Sequence, residues 1–107
     1  MKKTKKIGGE DVKEALINEL EKRGILNNVY ADLINDYMAF WVVKQNLIQD
    51  IKTRGVNIEY KNGANQYGTK QNDSVFNLIK TNNQMLKILS DLGLRGAEQD
   101  GDVDEDL

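Results

Sequence analysis

The sequence contains no cysteine and no histidine. Without cysteine there is no disulfide and no thiolate zinc site, and the chain fits a reducing compartment. Without histidine the commonest general base and metal ligand is missing, which leaves carboxylates, Lys and Tyr for any catalysis. The longest unbroken apolar run, Met38 to Val43, is far too short to cross a membrane, and no apolar segment follows the basic N-terminus as a signal peptide requires. Gly8-Gly9 has neither the spacing nor the following Lys-Ser/Thr of a phosphate loop. Asp100, Asp102 and Asp104 alternate like the ligands of a calcium loop but lack its sixth-position Gly and closing Glu, so they read better as a solvated tail. Nothing here supports an enzyme, and no cofactor or metal is expected.

What remains is an ordinary globular composition, 39% hydrophobic and 30% charged, in 107 residues, enough for one domain with a modest core. The net charge of −2 conceals a segregation. Six acids and no base lie in residues 97–107, so residues 1–96 carry fifteen basic residues against eleven acids. A basic body with an acidic tail is the pattern of a polyanion binder, although a solvated tail accounts for half of it.

The stretch from Val29 to Ile51 holds the only Trp, two of the four Tyr and one of the two Phe, with no Gly inside it. At 100° per residue, Val29, Leu33, Tyr37, Phe40, Leu47, Ile48 and Ile51 form one stripe flanked by Tyr30, Ile34 and Trp41. Ala31, Met38 and Val42 fall nearly opposite. A helix apolar almost all round is buried against more than one neighbour, and in so short a chain some neighbours are expected to be other copies.

Around this helix the chain reads as follows. Residues 1–9 carry four Lys in the first six positions and a Gly pair, which suits a phosphate-binding arm or a solubilising end equally. Val12, Ala15, Leu16 and Leu20 share one face of a short helix over about 10–23, with acids at its start, bases at its end and Gly24 to close it. Asn27 or Asn28 caps the long helix, about 28–54, which Gly55 ends. Val56, Ile58 and Tyr60 then alternate, and Asn62-Gly63 predicts a hairpin over about 56–69 in which Tyr60 faces Asn65 and Ile58 faces Tyr67. Val56, Ile58, Tyr60 and Tyr67 would share a face that packs on a helix or pairs with a neighbour. Lys52, Arg54, Lys61 and Lys70 cluster about this ribbon, either as solvated strand ends or as contacts in a DNA groove. Asn72, Asp73 or Ser74 caps a last helix, about 73–92, with Val75, Leu78, Ile79, Met85, Leu86, Leu89 and Leu92 on one stripe, and Gly93 closes it. Lys44 and Asn82 interrupt their stripes. They either meet across the helical hairpin or face a carboxylate across a subunit contact, fixing register, or they stay partly solvated.

The expected fold is therefore mainly α, a helical hairpin of the long and last helices linked by a small β-hairpin and preceded by one short helix. Residues 1–9 form a flexible basic arm, 10–94 a single oligomerising helical domain, and 95–107 a disordered acidic tail.

A set of residues in order then carries a specific resemblance. Tyr30, Leu33, Tyr37, Trp41, Leu47, Asp50-Ile51, Gly55-Val56, Asn62-Gly63 and Gln66 are followed by Asn72-Asp73-Ser74, Leu78, Gln84-Met85-Leu86, Ile88-Leu89 and Leu92-Gly93-Leu94. Over residues 25–94 the chain resembles the short small-subunit family of tailed-phage terminases. That resemblance implies a non-catalytic homo-oligomer, a ring, that binds double-stranded viral DNA at the packaging start. It also implies recruitment and regulation of the large ATPase/nuclease subunit, in the host bacterial cytoplasm and without a membrane. Only one short helix precedes the long one, so no full helix-turn-helix is expected. DNA contacts are assigned to Lys2, Lys3, Lys5, Lys6, Lys13, Lys22 and Arg23, and the oligomer interface to Met38, Trp41, Val42 and Ile88. The competing reading is a structural protein–protein interaction module without specific DNA binding.

Overall fold

In this computed structural model, which describes residues 6–95, each helix begins at a hydrogen bond between a side chain and the backbone around its start. Helix α1 (Gly9–Lys22) starts after Gly8, whose N–H donates to Asp11 Oδ2 at 3.0 Å. Helix α2 (Asn28–Arg54) is capped by Asn27, whose Oδ1 accepts from the Tyr30 N–H at 2.9 Å. A two-stranded antiparallel ribbon, β1 (Asn57–Lys61) and β2 (Tyr67–Gln71), leads to α3 (Asp73–Asp91), where Asn72 Oδ1 accepts from the Ser74 N–H. Helices α1 and α3 end alike: Gly24 and Gly93 take positive φ, and the next residue's N–H reaches back to Leu20 and Leu89 respectively. The second of these turns drives Leu94 back into the core.

The expected architecture of a long and a last helix, a linking β-hairpin and one short leading helix is the one observed. Ile34, early in α2, packs with Ile88 and Leu92, late in α3, whereas Asp50 at the end of α2 bonds to Ser74 at the start of α3. The two helices therefore run antiparallel. Leu16 and Leu20 of α1 complete the core at the end opposite the ribbon, and Leu20, Ile34 and Leu92 are fully buried. Each such side chain contributes roughly 2 kcal/mol relative to exposure.

Three local expectations are corrected. On α3 the buried positions are Ser74, Thr81, Met85, Ile88 and Leu92, with Val75, Leu78 and Leu89 half-buried, while Ile79 and Leu86 face outward. The contact line follows a three-and-four spacing against α2, as in a coiled-coil seam, and this outweighs the hydrophobicity of the two displaced residues. Val29, placed on the buried stripe of α2, is 67% exposed because it lies in the first turn, beyond the reach of α3. The ribbon pairs Lys61 with Tyr67, Tyr60 with Gly68 and Ile58 with Lys70, so its loop is Asn62–Gln66, closed by the Asn62 N–H on the Gln66 carbonyl at 2.8 Å. Tyr60 decides this register: its ring lies over Gly68 so closely that a Cβ there would stand 2.9 Å from the ring. The shift moves Tyr67 to the face opposite Ile58 and Tyr60. Lys44 and Asn82 are both half-buried, and no hydrogen bond joins them.

Candidate nucleic-acid interface

Of the seven residues assigned to DNA, four lie among the described residues, and these are spread along α1 and its ends. Lys2, Lys3 and Lys5 lie outside the described residues, and Lys6 is exposed just ahead of α1. Lys13 is half-buried on α1, and Lys22 is exposed in its last turn. Arg23 is committed within the protomer: its Nε donates to Glu19 Oε2 at 2.8 Å and its Nη1 to the Gly93 carbonyl at 3.0 Å, tying the end of α1 to the end of α3. This ion pair also holds the Glu19 carboxyl below its ordinary range, chiefly through the hydrogen bond from Arg23. Helix α1 itself carries Glu10, Asp11, Glu14, Glu19 and Glu21 against Lys13 and Lys22, so it presents an acidic surface. An open groove of about 650 Å³ runs along it, floored by Val12, Ala15, Leu16 and Leu94 and rimmed by Asp11, Glu19 and Arg23.

The four residues assigned to a subunit contact separate as well. Val42 is 54% exposed, beside the exposed Val43. Met38 and Trp41 are half-buried against the first turn of α1, where a Cβ on Gly9 would stand 3.2 Å from the indole ring. Ile88 is buried in the three-helix core and has little surface left for a partner. In exchange, Phe76, Ile79 and Leu86 form an exposed apolar line on the outer side of α3, with the Lys80 ammonium 4.9 Å from the Phe76 ring centre. The spacing of three and seven places them together, but the same three-and-four periodicity made Ile79 and Leu86 look like core.

The densest polar constellation lies at the base of the ribbon. Asp50 accepts from Arg54 Nε and Nη2 at 2.8 and 2.9 Å, from Ser74 Oγ at 2.7 Å and from Asn72 Nδ2 at 3.0 Å. Asn72 is wholly buried; its Nδ2 also donates to the Gly55 carbonyl, and its Oδ1 accepts from Arg54 Nη2 and the Ser74 N–H. Every hydrogen-bonding position of that amide is used. The Arg54 bond, then those from Ser74 and Asn72, hold the Asp50 carboxyl far below the usual carboxylate range, and Asp50 in turn raises Arg54. Because the Asn72 N–H also reaches the Val56 carbonyl at 2.6 Å, both strands of the ribbon leave one fixed clamp. The signals for it were separate: an Asp–Arg pair four residues apart on α2, and a capping Asn-x-Ser before α3. Nothing in the sequence brings the two together without the antiparallel turn. Among the described residues no cluster of three carboxylates stands close enough to hold a metal ion.

A family described as phage terminase, small subunit, matches residues 13–101, most of the chain, including α2, the ribbon and α3. The chain belongs to that family. Terminase small subunits serve the genome-packaging motor and are generally non-catalytic. No curated protein and no solved structure matches the chain. No helix among the described residues is long and apolar enough to cross a membrane.

Proposed function

We propose that this terminase small subunit is a non-catalytic adaptor of the packaging motor, working in the host bacterial cytoplasm. It assembles into a ring of identical copies, binds double-stranded viral DNA at the packaging start, and recruits and regulates the large ATPase/nuclease subunit. Family membership across α2, the ribbon and α3 is the observation that carries this reading.

Two features support the assembly. Phe76, Ile79 and Leu86 leave an apolar line on α3, and Val42 and Val43 leave another patch on α2, in a chain whose intramolecular core is small. Residues 10–94 would be the assembling domain, with residues 1–9 and 95–107 as a basic arm and an acidic tail of separate duties. Repetition around a ring turns a few Lys per copy into many phosphate contacts, so a modest charge per protomer suffices for avidity.

The test is mass in solution together with DNA binding across a salt series. An oligomer that shifts double-stranded DNA at low salt, with affinity falling steeply as salt rises, supports the adaptor. A monomer at micromolar concentration overturns the ring, and an oligomer with no DNA binding at low salt leaves a protein–protein module.

A further inference from the structure

The ribbon is held firmly at its base and covered nowhere. Every residue from Asn57 to Gln71 is exposed except Ile58 and Gly68. A bare two-stranded ribbon is marginal by itself, yet here the buried Asn72 and the four donors on Asp50 fix the direction in which it leaves the helices. Rigid presentation of a naked element suits a surface that meets a partner.

The chemistry of that surface selects the partner. The register puts Asn57, Glu59 and Lys61 beside Gln71, Thr69 and Tyr67 on one face, so each position carries a hydrogen-bonding side chain. The tip adds Asn62, Asn65 and Gln66, and the other face adds Lys70 beside Ile58 and Tyr60. Arg54 is neutralised by Asp50, which leaves Lys52, Lys61 and Lys70 against Glu59 and Asp73 on the ribbon and its two ends. An apolar partner would leave these amides and ammonium groups without bonds, at a cost of about 1–3 kcal/mol each. A polyanion satisfies them. The acid-rich α1 surface repels the same ligand, so the two ends of the protomer are electrostatically distinct. A ribbon about 5 Å between strands enters a major groove about 12 Å wide.

We propose that the β1–β2 ribbon is the element that contacts double-stranded DNA. It enters the major groove with Asn57, Lys61, Thr69 and Gln71 toward base edges, and Lys52 and Lys70 on phosphates. This rests on the DNA-binding adaptor reading and moves the contact away from α1.

The experiment uses the full chain and a fluorescent 30-base-pair duplex, with anisotropy read over a sodium chloride series. Three proteins are compared: the unaltered chain, a Lys61→Gln/Lys70→Gln variant, and an arm variant with Lys2, Lys3, Lys5 and Lys6 changed to Gln. The ribbon variant is expected to lose about tenfold or more in affinity and, through the Lys70 phosphate contact, to flatten the salt slope by about one for each engaged copy, with unchanged circular dichroism and mass. A photo-crosslinking residue in place of Asn65 should join the loop to DNA, a readout independent of how the double variant folds. Should the ribbon variant match the unaltered chain while the arm variant loses binding, the ribbon is not the contact and the adaptor reading stands. If the unaltered chain ignores the duplex at low salt, the DNA-binding reading itself fails. Crosslinking of residue 65 to a second copy of the chain instead of DNA would make the ribbon a protein contact and overturn the proposal.

Discussion

Asn72 donates its side-chain N–H to Asp50 Oδ2 across 3.0 Å, joining the last turn of α2 to the cap of α3 through a residue with no exposed surface. The bond spans the ribbon, so one amide serves as helix cap, as partner to a carboxylate and as the strap that closes the hairpin. Replacing Asn72 with Ala removes the cap on α3 and strands a donor or acceptor on Asp50, Gly55 and Arg54. A loss of about 2–3 kcal/mol is expected in a urea melt. Amide exchange across residues 57–71 should rise more than that across the Leu20–Ile34–Leu92 core. A variant as stable as the unaltered chain would mean that the clamp is dispensable.

Asp50 also sets an acid limit. Its carboxyl is held far below the ordinary value by Arg54, Ser74 and Asn72, and Glu19 is lowered by Arg23. For a depressed carboxylate, the folded state binds its proton more weakly than the unfolded state. The stabilisation is therefore complete above the unfolded value near pH 4 and disappears as pH falls toward the folded value. The melting temperature should be flat from about pH 7 to 5 and fall below it, and Asp50→Asn should lower the plateau while flattening the acid limb. An acid limb unchanged in Asp50→Asn would assign it to other carboxylates.

Tyr60 and Gly68 form a lock whose failure should stay local. A Cβ at residue 68 would meet the Tyr60 ring at 2.9 Å, so Gly68→Val has to lift the ring or break the pairing of Tyr60 with Gly68. Faster amide exchange at Ile58, Tyr60 and Lys70, which occupy the hydrogen-bonded positions of the ladder, is expected, with helix content and the main unfolding transition preserved, since the ribbon shares no core with the helices. A global loss of stability would show that ribbon and helices fold as one unit.

These relationships explain what was legible beforehand. Helix boundaries were, because Asn27, Gly55, Asn72 and Gly93 act through the residues next to them and need no tertiary partner. The hairpin's place was also legible, from Asn62-Gly63 within an alternating stretch. Its register was not: a two-residue turn is the local optimum, and the contact of Tyr60 with Gly68, eight positions away, selects a longer loop. The same limit applied to α3. Periodicity shows that a helix is amphipathic, but Ile79 and Leu86 lie outside the seam because α2 takes the line through Thr81, Met85 and Ile88. Among the basic residues, Arg23 counted as free charge until Glu19 and the Gly93 carbonyl claimed it.

The outer line of α3 is apolar surface that the protomer itself leaves uncovered. Phe76 and Ile79 are 56% and 54% exposed, side by side one turn apart, and burying their exposed surface between copies would contribute several kcal/mol to a ring contact. Ile79→Glu places a charge in that line without touching the core, because Ile79 packs with neither Ile34 nor Leu20. The mass measured by light scattering should drop toward the monomer while the helical circular dichroism signal holds. Val42→Glu is the matched test on α2. If only Val42→Glu dissociates the assembly, the contact lies on α2 and the α3 line faces another partner. If neither does, both patches are ordinary exposed surface and the ring is built elsewhere. A control at Leu20, changed to Ala, should instead cost about 3 kcal/mol of protomer stability, which separates loss of assembly from loss of fold.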